Sequence, residues 1–161
     1  MTVVHPLWLR RIVVAVDAFV AVTAVGGGLA LASGAERGRF PVQWLSRTPW
    51  TSYLIPGLIL ALAVGGSATL ATVAAWRRLR SAGRVTAVAG IVLAGQVVGE
   101  IALLAQPKAP TSAEVFYLFV AAGMLASGVL LQRSRVPEPG PAERTAAGRR
   151  LGPARGVADP P

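Results

Sequence analysis

Apolar residues are gathered into four long runs, without the period-2 or period-3.6 alternation of a half-buried strand or surface helix. The first covers 12–32, with Asp17 as its one charge. The second covers 53–76 and has no charge, and the third covers 85–105 with Glu100. The fourth and shortest covers 115–131, again uncharged, and its helix is expected to occupy 113–132. A helix needs about 20 residues to cross roughly 30 Å of hydrocarbon, so all four qualify, the last at the short limit. Backbone inside lipid must satisfy its own hydrogen bonds, which makes these runs helices. The pattern therefore predicts an all-α fold, a four-transmembrane-helix bundle over 1–132, followed by a disordered cytoplasmic C-terminal tail over 133–161.

Composition is the reason for reading the tail that way. It holds six Pro, four Gly, six Arg and three acids, and too little apolar surface to build a core. It is read as a topogenic and solubilising segment whose arginines can touch anionic lipid.

Charge sets the orientation. Arg10 and Arg11 precede the first span, four arginines (77, 78, 80 and 84) follow the second, and six lie from 133 onward. These segments share one side and hold twelve of the 16 basic residues. The positive-inside rule then places both termini in the cytoplasm of a bacterial cell membrane. The formal charge of +9 mostly reflects this asymmetry, so no nucleic-acid partner is expected. Trp8 and Trp76 fall at the cytoplasmic borders and Trp44, Trp50, Tyr53 and Tyr117 near the outer ones, as interfacial rings do.

Boundary residues add local expectations. Thr48-Pro49 reads as an N-cap with proline in the first turn, and Pro56 should kink the second helix. Thr111-Ser-Ala-Glu114 has the spacing of a capping box, which accounts for Glu114 structurally. Ala30-Leu31-Ala32 resembles a signal-peptide cleavage site, but the apolar stretch before it is too long and contains Asp17, which favours an uncleaved first helix. The loop over 33–52 is long for a compact bundle. It is read first as a membrane-surface segment anchored by its rings, and second as a lid over a pocket.

Composition removes much chemistry. There is no cysteine and a single histidine, His5, so disulfides, thiol redox chemistry and sites needing two histidines are excluded. No HExxH, nucleophile elbow or acidic metal cluster is present, so no catalytic residue, metal ligand or cofactor is assigned. What remains is the pair of intramembrane acids, which cost about 2.5–3.5 kcal/mol each at a helix centre. They should lie roughly 15 Å apart along the membrane normal, too far for a dyad. Asp17 is read as structural, within reach of Thr69, Thr72, Ser127, water or Arg11. Glu100 is the better ligand- or proton-binding candidate, with Gln96 one turn before it. Glycines 26–28 and Gly57 at that level leave room for a cavity bounded by Tyr53, Gln96, Glu100 and Tyr117 and open to the outside. A locked polar packing cluster is the competing reading.

Gly95/Gly99, Ala61/Gly65 and Gly123/Ser127 have small-xxx-small spacing. Packing within the bundle is the default, with docking of a second copy or a membrane partner as the other use.

The segments Pro41-Val-Gln-Trp-Leu45, Thr48-Pro-Trp-Thr-Ser-Tyr53, Pro56-Gly-Leu58 and Gly65-Gly-Ser67 resemble small four-helix integral membrane proteins of actinobacterial type. A looser similarity is to DoxX-like proteins. The resemblance implies a four-helix membrane protein and no particular activity. Asp17 is also loosely similar to the helix-one acid of small multidrug exporters, although the long outer loop and tail depart from them. The expected function is a structural or accessory membrane component in the lipid bilayer. The alternative is a small proton- or ligand-coupled transporter subunit using Glu100 and Asp17. A transporter should show a polar path joining the two acids, whereas an accessory protein should show both acids satisfied locally.

Overall fold

A computed structural model of the chain describes residues 7–104 and 110–133. His5 and the expected tail, apart from Arg133, lie outside the described residues. The described chain is helical without strands, and four helices are long and apolar enough to cross a membrane: α1 (Leu7–Ser33), α2 (Leu54–Trp76), α3 (Ala82–Leu103) and α4 (Ser112–Arg133). It is a multi-pass membrane protein. A 3-10 turn, Val42–Arg47, sits in the loop between α1 and α2. That loop, the C-terminus of α3 and the N-terminus of α4 share one end of the bundle, the loop end, and the short 77–81 turn marks the arginine end.

The fourth span is longer than its apolar run because the capping box exists. The Glu114 backbone N–H donates to the Thr111 hydroxyl at 3.3 Å, and the Thr111 N–H donates to the Glu114 carboxylate. Two otherwise unpaired donors at the helix start are thereby satisfied, and α4 begins at Ser112.

The second span departs from expectation at both prolines. Thr48 does not start α2; it ends the 3-10 turn, its hydroxyl donating to the Leu45 carbonyl at 2.8 Å. The helix begins instead at Leu54, so Pro56 falls in its first turn, where a missing N–H breaks no helical bond. Irregularity appears one turn later, as a π-helical stretch over Leu60–Gly65 that inserts extra backbone into the middle of the span.

Tight helix ends are built by the same device twice. After α1, Gly34 and Ala35 donate to the carbonyls of Leu31 and Ala30, with Gly34 at φ +77°. After α2, Arg78 and Leu79 donate to Ala75 and Ala74, with Arg78 at φ +57°. Both are Schellman ends, but only the first has the glycine that adopts this backbone freely. Arg78→Gly should therefore stabilise the protein by about 1 kcal/mol. A rise of roughly 2–4 °C in the thermal midpoint is expected in a chain of this length. A fall would show that the arginine side chain contributes more than its backbone costs.

Helices pair as two hairpins, α1 with α2 and α3 with α4, joined mainly along α2–α3. Glycines let each hairpin close. A Cβ on Gly28 would stand 2.5 Å from the Gly57 carbonyl oxygen, and one on Gly128 would stand 2.6 Å from that of Gly83. Between α1 and α4 contact is sparse, and an edge-to-face pair of Phe19 and Phe116 at 6.3 Å bridges them. The core is correspondingly small-residued: Val20, Ala24, Val64, Ala68, Ala71, Ala89, Leu93, Ala121 and Met124 are buried together.

Candidate functional site

One stripe of α3, residues 82, 86, 89, 93, 96 and 100 at alternating steps of four and three, faces α1 and α2. It is apolar in the middle and polar towards each end, so the two acids of the spans sit in separate surroundings.

At the arginine end Asp17 is fully buried, and the Thr86 hydroxyl donates to its Oδ2 at 3.0 Å. Its Oδ1 has no hydrogen-bond partner among the described residues. This corrects the sequence-based expectation for its surroundings. Thr69 and Thr72 turn back to the carbonyls of Gly65 and Ala68, and Ser127 to that of Met124. Asp17 neither reaches water nor snorkels. The donor comes instead from α3, across the bundle from α1.

At the loop end, a cavity of about 400 Å³ opens between α1, α2 and α3. Tyr53, Gln96, Glu100 and Tyr117 line it together, whereas Asp17 does not. The Gln96 side-chain amide donates to Glu100 Oε1 at 2.9 Å, the i to i+4 geometry of one helix face. Glu114, in the first turn of α4, stands on the helix that packs against α3.

Glycines divide into two groups here. Gly28 and Gly57 close the α1–α2 seam, but Gly27, Gly95 and Gly99 line the cavity with nothing within 4 Å of where a Cβ would stand. The Gly95/Gly99 pair, expected to pack helices, instead contributes empty space. Gly123 likewise meets nothing within 4 Å, while Ala61 and Gly65 do pack against α1.

The floor of the cavity is apolar. Val20, Val64 and Leu93 line it and are almost wholly buried in the core. Asp17 lies one helical turn below Val20, and Thr86 is roughly 21 Å from Glu100 along α3 at the helical rise per residue. No polar path joins the acids among the described residues, as a transporter reading would need.

The loop over 34–53 forms the roof. Leu45 is buried, and Phe40 packs edge-on to Trp44 and Tyr53 at 6.1 Å each. The Tyr53 hydroxyl donates to the Pro41 carbonyl at 3.1 Å. Phe40, Trp50, Glu36 and Arg39 all line the cavity, and Arg39 pairs with Glu36 at 3.7 Å. The segment thus contributes to the cavity wall, with its rings packed on one another. Phe40 and Tyr53 also line a smaller cavity of about 250 Å³ between the loop and the helix ends, so their ring pair forms a partition.

Among the described residues no cluster of three metal-ligating side chains occurs. Comparison of the chain with protein-family models, curated proteins and solved structures finds no match.

Proposed function

We propose that this protein binds a small amphipathic molecule in the cavity at the loop end, with Glu100 and Gln96 as its polar anchor. The observation that carries this reading is the void itself. Bundle seams elsewhere are closed by glycine to backbone contact, yet here three glycines leave about 400 Å³ open beside a carboxyl and its amide partner. An apolar pocket with a few convergent polar groups is the ordinary form of a small-molecule site. The arginine distribution supports a plasma-membrane orientation with both termini cytoplasmic, so the pocket faces outward. The apolar floor favours one-sided binding, as in a ligand-coupled receptor or a subunit of a larger transporter, over a complete pathway.

A neutral fluorescent amphiphile, 1-aminoanthracene, tests the reading in nanodiscs. Its blue-shifted binding signal should fall at least about tenfold in Gly99→Leu, which fills the cavity and removes about that much binding energy. The thermal midpoint should not fall, since open space surrounds Gly99. An unchanged signal in that variant would overturn the proposal.

The second reading, a structural or accessory component, is favoured by Gly123, a small residue on an exposed face of α4 with nothing within 4 Å of where a Cβ would stand. Such a surface suits close approach by a second copy or another membrane helix.

A further inference from the structure

The electrostatics of the cavity select among amphipathic ligands. Glu100 is the acid of the inner lining, and Gln96 is its hydrogen-bond partner among the described residues. Arg39 is the basic residue on the lining, and it sits at the mouth already paired with Glu36. The inner lining therefore holds an acid, and the basic residue among the described lining residues is already paired at the mouth.

Aromatic rings complete the pattern. Tyr117, Tyr53, Trp50 and Phe40 line the same space. Ring faces attract a cation placed within about 6 Å, most strongly where water is excluded. The remaining wall is aliphatic and fits an apolar body, and the volume is of drug-like scale.

We propose that the ligand is a lipophilic organic cation, an ammonium group on an alkyl or aryl body, held with its charge between the Glu100 carboxylate and the surrounding rings. The inference rests on the reading of this cavity as a binding site and adds the charge of the occupant. An anion would meet the Glu100 carboxylate, and a neutral isostere would forgo both the ion pair and the ring attraction.

Three probes of matched shape test it on the full chain in nanodiscs, by equilibrium dialysis against empty nanodiscs. They are 4-phenylbutyl-trimethylammonium, its neutral carbon isostere and 4-phenylbutyl sulfonate. The cation should bind at least about tenfold more tightly than the isostere, the combined effect of one ion pair and ring contacts. Glu100→Gln should erase that preference by weakening cation binding to the level of the isostere, while Glu100→Asp, which keeps the charge, should retain most of it. Equal binding of all three, or a preference for the sulfonate, would overturn the cation proposal and leave the cavity as a binding site. Binding of none of them, together with no effect of Gly99→Leu on 1-aminoanthracene, would overturn both.

Discussion

Gly128→Leu is expected to lower the thermal midpoint by roughly 6–12 °C, the equivalent of about 3 kcal/mol in a chain of this length. A Cβ at that position meets the Gly83 carbonyl oxygen at 2.6 Å, the Ala87 nitrogen at 2.7 Å and the Ala87 Cβ at 2.9 Å. Two of those atoms are backbone inside a helix, so the clash can be relieved only by moving α3 away from α4. That movement would also uncover Met124, which is buried in the core. Gly123→Leu, on the same helix with open space around it, is the control. It should leave the midpoint unchanged or raise it slightly, because leucine is the better helix former. Equal losses at 123 and 128 would mean that helix flexibility, not the seam, sets the cost.

The second large effect concerns Asp17. Thr86→Val removes the hydroxyl that donates to Oδ2, and Oδ1 already lacks a partner among the described residues, so a fully buried carboxyl would be left with none. A loss of about 2 kcal/mol follows from an unsatisfied buried polar group. Replacing both residues by valine removes the polar pair altogether and should restore most of that loss, because apolar isosteres of a buried pair are often neutral or stabilising. Denaturation of the two single variants and the double variant would show it as a double variant more stable than Thr86→Val. Additive losses would show that Asp17 and Thr86 contribute independently and that the hydrogen bond is not what holds them.

Why the spans are legible in the sequence, and the contacts between them are not, follows from what each depends on. A long uninterrupted apolar run such as 12–32 or 53–76 has one solution in lipid, and the Thr111–Glu114 box carries its own partner at fixed spacing. The same holds for Gln96 and Glu100, which meet because they stand at i and i+4 on one helix. Tyr53 and Tyr117 can be placed at Glu100's level by counting turns from the membrane borders, and the cavity gathers all four.

Helix rotation is different. A nearly all-apolar helix has no polar face to orient it, so the pattern does not say whether Thr69, Thr72, Ser127 or Thr86 points at Asp17. The deciding contacts are glycine to carbonyl approaches such as Gly28–Gly57 and Gly83–Gly128. Many other small residues offer the same spacing, and Gly95/Gly99 matches the motif while serving to leave space instead. Pro56 escapes the pattern for a related reason. Its effect depends on where the helix starts, and a shift from Pro49 to Leu54 turns a kink into an ordinary first-turn proline. The loop is ambiguous because Phe40 and Trp50 suit an interface and a pocket roof equally by composition.

Any ligand of the kind proposed requires the cavity beside Glu100 to be reachable from the outer side of the membrane. Because the chain has no cysteine, single cysteines report position without background. Gly99→Cys lines the cavity, while Val98→Cys, its neighbour in sequence and 55% exposed, faces outward from the bundle. A membrane-impermeant charged thiol reagent applied to intact cells should modify Gly99→Cys rapidly and leave Val98→Cys untouched. Modification of Gly99→Cys only after permeabilisation, or of neither variant at all, would contradict an outward-open pocket.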